Sequence, residues 1–104
     1  MKLHLFNPEN DLALADGSFN YCPPPAAMRI ANDLASLPLW YAGEDDCVVL
    51  PNDEHCEYRN KISSFFSVAS PFGVEKLKSI TVCMPWGWSP QVKRRLCVMG
   101  FENL

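Results

Sequence analysis

Apolar and polar residues alternate through Lys2-Leu3-His4-Leu5-Phe6 and then stop at Asn-Pro. This is the pattern of a short strand closed by a turn. Residues 7–22 are polar and irregular except for Leu12-Ala13-Leu14-Ala15, which suits one helical turn or a packed loop. Pro23-Pro24-Pro25 then opens a helix, because a missing N–H costs nothing in a first turn. Ala27, Ile30, Ala31 and Leu34 share one face of it, and Pro38 ends it near Ser36.

Residues 39–42 (LWYA) form a second strand candidate, and residues 47–50 (CVVL) a third. The Gly43-Glu44-Asp45-Asp46 turn between them is too short for a crossover between adjacent parallel strands. The two are a hairpin or non-neighbours in the sheet. Asn52 or Asp53 caps a helix that carries Tyr58, Ile62, Phe65 and Phe66 on one face. Residues 67–73 read as loop, and residues 74–78 are ambiguous. Residues 79–84 (SITVCM) are the clearest strand, with β-branched residues in succession. Ser89-Pro90 is an N-cap and first-position pair, Val92, Leu96 and Met99 share a helix face, and Gly100 stops it. Phe101 to the end carries no element.

The order β-α-β-β-α-β-α predicts one α/β domain over residues 1–104. It is Rossmann-like, with a mostly parallel sheet of about four strands flanked by helices. Such a unit normally continues into another strand after its last helix. The fold is therefore expected to be incomplete, the N-terminal part of a longer protein.

Composition narrows the function. The 104 residues are 48% hydrophobic and 20% charged, an ordinary globular balance. A net charge of −3 gives no reason to expect nucleic acid as a partner. The balance hides an asymmetry: residues 1–57 hold ten acidic and two basic side chains, and residues 58–104 hold two acidic and seven basic. The five cysteines are odd in number with no close pair, which argues against a disulfide framework and for a reducing, cytoplasmic setting. No signal peptide or membrane-spanning run is expected.

Ligands of open α/β sheets sit outside the carboxyl ends of the strands. Two loops there carry unusual chemistry. Asn7-Pro8-Glu9-Asn10-Asp11 sets two amides and two carboxylates within five residues, suited to orienting amines or hydroxyls. An Asx turn bonded to its own backbone is the plainer account. Pro85-Trp86-Gly87-Trp88-Ser89-Pro90 sets two tryptophans about a glycine, before a helix whose N-terminus favours an anion. Packing tryptophans and a routine cap are the plainer account here. If both loops share one sheet edge, they face each other across a crevice. The candidate substrate-binding residues are Asn7, Glu9, Asn10, Asp11, Trp86, Gly87, Trp88 and Ser89.

Other chemistry is weaker. Lys93-Arg94-Arg95 reads as a solvated helix face. Cys47, His55 and Cys56 do not have zinc-site spacing, so no metal site is assigned. No phosphate-binding glycine motif and no G-x-S-x-G elbow is present, and no catalytic residue is assigned.

Phe6-Asn7-Pro8-Glu9-Asn10-Asp11-Leu12-Ala13-Leu14-Ala15 resembles the opening of a family of bacterial ATP-grasp-like proteins. Met84-Pro85-Trp86-Gly87-Trp88, followed by a basic helix and Gly100, resembles that family's second signature. The resemblance spans the chain as the pre-ATP-grasp, N-terminal segment. It implies the substrate side of a carboxylate–amine ligase, inactive alone, with the remaining domains of the same polypeptide as partners. It implies no cofactor in this chain, ATP and Mg belonging to the full-length protein. Two alternatives stay open: a non-enzymatic module that binds a small molecule or a protein, and an α/β domain that takes a nucleotide at its last helix.

Overall fold

The structure is a computed structural model, and it describes residues 1–18 and 20–101. Four strands, β1 (Lys2–Leu5), β2 (Cys47–Val48), β3 (Ser70–Pro71) and β4 (Val82–Pro85), form one sheet in the order β3-β2-β1-β4. Every pair is parallel. The helices are α1 (Asn10–Asp16), α2 (Pro25–Asp33), α3 (Asp53–Ile62) and α4 (Pro90–Val98). This is the α/β, Rossmann-like arrangement, with β1 central and the chain reversing direction across the sheet between β1 and β4.

Alternation along β1 divides the core. Leu3 and Leu5 point to one face, where they join Cys47, Cys83, Val92 and Leu96 beneath α4. His4 points to the other face, its register neighbours being Val48 and Met84. There Val48 packs with Leu39, Ala69 and Ile62. That second face is covered over β2 but bare over β4, where Val82 is 44% and Met84 43% exposed.

The helix ends follow local chemistry. Ser89 Oγ accepts from the Val92 N–H at 3.2 Å, and Pro90 fills the first position of α4. Gly100 stops α4 at a φ of 115°, after which the Phe101 N–H reaches back to the Leu96 carbonyl at 3.0 Å. Phe101 therefore does not trail away from the fold; its ring packs on the core beside Phe72. Asn52 is the cap of α3, accepting from the His55 N–H at 3.1 Å.

Several expected elements differ. Residues 39–42 are not a strand: Leu37–Trp40 is a 3-10 turn. Pro38 holds a φ suited to a tight turn, and the Tyr41 N–H closes onto its carbonyl at 3.1 Å. The hairpin alternative falls with that strand. The missing strand is β3, inside residues 67–73. It has only two paired residues, with no periodicity to read. Ser70 N–H donates to Asp46 O at 3.1 Å and Phe72 N–H to Val48 O at 2.9 Å. Pro71, between them, is turned to the free edge, where its lack of a donor costs no ladder bond. Residues 74–78 fall in a 3-10 segment, Val74–Ser79, which delays β4 to Val82. Residues 12–15 belong to the full helix α1, ended by Gly17 at a φ of 73°. Ile30 and Leu34 of the expected α2 face are half exposed, and only Ala31 of that helix is buried. Helix α3 ends at Ile62, where the Ser63 and Ser64 hydroxyls bond the carbonyls of Asn60 and Lys61, so Phe65 and Phe66 lie beyond it in solvent.

Asp46 ties the turn that precedes β2 to strand β1. Its carboxylate accepts from Lys2 N (3.0 Å), His4 Nε2 (3.0 Å) and Gly43 N (3.2 Å). The His4 bond, aided by the two backbone donors, holds its pKa below the usual carboxylate range. A carboxyl with a depressed folded pKa stabilises the fold above its unfolded pKa and loses that as pH falls through the folded one. Asp46→Asn is expected to cost about 1–3 kcal/mol at neutral pH. It is also expected to flatten the stability loss below about pH 4, as measured by thermal unfolding monitored by circular dichroism.

Burial also raises the pKa of Cys47 and of Cys83, keeping both as thiols. Cys22 and Cys97 are exposed. In the native protein an alkylating reagent should modify Cys22 and Cys97 first, with Cys47 and Cys83 labelled only on unfolding, as counted by intact mass. Early labelling of Cys47 would show that β1 and β2 separate readily.

Candidate functional site

The ladder between β1 and β4 carries the site at its C-terminal end. Thr81 N–H donates to Met1 O and Trp86 N–H to Leu5 O, both at 2.9 Å. The register is unbroken from Lys2 opposite Val82 to Leu5 opposite Pro85, and the Trp86 bond continues it by one residue. Pro85 stands opposite Leu5, at a position whose N–H this ladder does not use, so its missing donor costs nothing. The Trp86 ring stacks on Phe6 with centroids 4.5 Å apart.

One turn further, Asn7 closes the two loops together. Its Nδ2 donates to Gly87 O at 2.8 Å, and its Oδ1 accepts from Gly87 N at 3.1 Å. The side chain is only 1% exposed. A primary amide has the same donor and acceptor pair as a peptide unit, so Asn7 continues the ladder with its side chain. Asn10 adds to this. With the amide orientation assigned from its surroundings, its nitrogen donates to the carbonyls of Gly87 and Trp88, both at 3.2 Å. A Cβ on Gly87 would collide with the Asn10 side chain, so the room left by the glycine is filled from within the protein.

Around this clasp lies a cavity of about 260 Å³ lined by Asn7, Pro8, Asn10, Asp11, Trp86 and Gly87. The loops that follow β1 and β4 therefore do face each other. Of the eight candidate residues, five line the cavity: Asn7, Asn10, Asp11, Trp86 and Gly87. Trp88 stands elsewhere, with Thr81, Val82, Cys83 and Lys93 over the outer side of β4. Ser89 is buried and spends its hydroxyl on the α4 cap.

Glu9 is the unusual member. It precedes α1 directly, is 3% exposed, and neither carboxylate oxygen has a hydrogen-bond partner among the described residues. Its place at a helix N-terminus offsets about 0.3–1 kcal/mol. The unmade hydrogen bonds of a buried carboxyl cost more, about 1–3 kcal/mol. The amides of Asn7 and Asn10 are committed to backbone, so the uncommitted polar groups of the first loop are both acidic: Glu9 and the exposed Asp11.

Sequence reasoning did not single out His4, although a histidine between Leu3 and Leu5 in a strand marks a polar group on the second sheet face. It is 7% exposed and pairs with Asp46, 42 residues away, a contact no local spacing announces. Among the described residues, no helix is long and apolar enough to cross a membrane.

Comparison with protein families, with curated proteins and with solved structures found no match to this chain.

Glu9→Met keeps the approximate shape and removes the unpartnered carboxyl. It is expected to raise Tm by about 5 °C in a domain of this size. A lower Tm by differential scanning calorimetry would show that the carboxylate is satisfied.

Proposed function

We propose that this chain is the substrate-side domain of an ATP-grasp-like carboxylate–amine ligase, seating a small amine-bearing substrate where β1 and β4 diverge. The observation that carries the reading is the Asn7–Gly87 clasp. It joins the two segments whose sequences resemble that family, and it does so at the point where the strand order reverses and doubly wound sheets take their ligands.

The division of labour follows from which groups are free. Asn7 and Asn10 are positioning residues that fix the Gly87 backbone. Trp86 forms an apolar wall, 59% exposed and backed by Phe6. Asp11 meets the substrate's ammonium group at the rim of the cavity it lines. An ammonium carries donors that the Asp11 carboxylate can accept. The Asp11 carboxylate on this cavity disfavours a phosphate there, so the nucleotide in this reading belongs to other domains of the ligase. The small α/β domain is then a binding half, without catalysis of its own.

The alternative, a non-enzymatic module that binds a small molecule or a protein, is favoured by the exposed aromatic rings of Trp40, Phe66 and Trp86. Both readings share the amine-binding cavity, and they part at ATP.

Titration with free amino acids is expected to shift the indole N–H resonance of Trp86 saturably. Asp11→Asn should weaken that binding about tenfold while leaving Tm unchanged. The purified chain should release no ADP from ATP. Turnover by this chain alone, or a Trp86 resonance that no amine moves, would overturn the proposal.

A further inference from the structure

A second cavity opens on the other sheet face, with a volume of about 390 Å³. Its lining is His4, Leu37, Tyr41, Met84, Pro85 and Trp86. That volume is within the size range of small-molecule sites. Trp86 belongs both to this cavity and to the one at Asn7 and Asp11. Pro85 borders only the second cavity and Gly87 only the first, so the chain passes from one to the other at Trp86.

The two cavities differ in chemistry. The first holds the Asp11 carboxylate and the committed amides of Asn7 and Asn10. The second has no carboxylate, lysine or arginine in its lining. Its histidine is buried and bonded through Nε2 to Asp46. Burial raises the pKa of Tyr41, so its hydroxyl stays un-ionised at neutral pH. Leu37, Tyr41, Met84 and Trp86 are all exposed around this one opening. A hydrated polar side chain would give up water there for an apolar or aromatic wall. An apolar one would cover four side chains that otherwise face water.

We infer that the amine seated at Asp11 carries a large aliphatic or aromatic side chain, and that this side chain lies across Trp86 against Leu37, Tyr41 and Met84. The substrate class is thus a hydrophobic amino acid. This rests on the reading of the Asn7–Asp11 cavity as an amine site, and it adds the residues that choose among amines. Asp11 holds the group common to every amino acid and gives affinity without choice. Leu37, from the 3-10 turn, and Met84, from β4, determine specificity. An α-amino acid suits this division, because its ammonium and its side chain leave one carbon in different directions. Trp86, its ring stacked on Phe6, is the wall shared by the two subsites.

Glycine, leucine and asparagine make the test, the last two being close in size and opposite in polarity. The purified chain is titrated with each, while the Trp86 indole N–H and the Met84 methyl resonance are followed by NMR. Leucine should bind about tenfold more tightly than glycine, and asparagine no more tightly than glycine. Leucine alone should move the Met84 methyl. Leu37→Trp fills the second cavity from its exposed rim and should bring leucine to the affinity of glycine, while that of glycine holds. Asp11→Asn should weaken glycine and leucine by the same factor. Equal binding of glycine and leucine with Trp86 responding, or a leucine preference that survives Leu37→Trp, would overturn the inference and leave the amine site standing. A Trp86 resonance that no amino acid moves would overturn both.

Discussion

The reciprocal pair between the Asn7 side chain and the Gly87 backbone is the constraint on which the arrangement of this end of the molecule depends. Two hydrogen bonds shielded from water hold the chain after β1 against the chain after β4. Without them, two loops leaving parallel strands would have no reason to stay in register beyond Leu5. The clasp also sets what the neighbouring residues can do. Gly87 must lack a Cβ for Asn10 to reach in, and Trp86 is confined between Pro85 and a fixed glycine. Of the polar atoms in residues 7–11, those nearest the partner loop serve structure, and the carboxylates are left over.

The sheet itself is asymmetric. One face is closed by α4 through Val92 and Leu96, both fully buried against β1, β2 and β4. The other is closed only over β2 and β3, where Arg59 of α3 bonds the carbonyls of Val68 and Ala69. Over β4 the same face leaves Val82 and Met84 in solvent. A single row of strand residues thus serves packing on one side and presents surface on the other, and both cavities border that exposed side at Trp86.

Much of this could be read from the chain. The alternation about His4, the Ser89-Pro90 cap and the Gly100 stop are local signals, and local physics decides them in the folded protein too. The two loops could be nominated from composition because they follow strands, but their apposition required the strand order. What escaped reading is what depends on distant partners. Ser70 and Pro71 are a strand only because Asp46 and Val48 lie beside them. Leu37–Trp40 is an apolar run in which a proline outweighs β propensity. Glu9 looked like one carboxylate of a polar turn; its burial without partners is a property of packing alone. His4 was visible as a residue, but its meaning comes from Asp46.

The pairing of β1 with β4 has a consequence in time. The two strands are about 80 residues apart in sequence, close to the full described length. On a ribosome adding roughly 5–20 residues per second, β1 emerges several seconds before the strand that completes its pairing. Throughout that interval Leu3, Leu5 and Phe6 have no α4 beneath them and no Trp86 beside them. A segment made about 80 residues before its partner is among the last to be sheltered, and closing so long a loop slows the step that shelters it. Short length and polar residues at its ends, Lys2 as its first residue and Asn7 soon after its last, suit β1 to that wait, since a brief strand edged by polar groups offers little for another nascent chain to pair with.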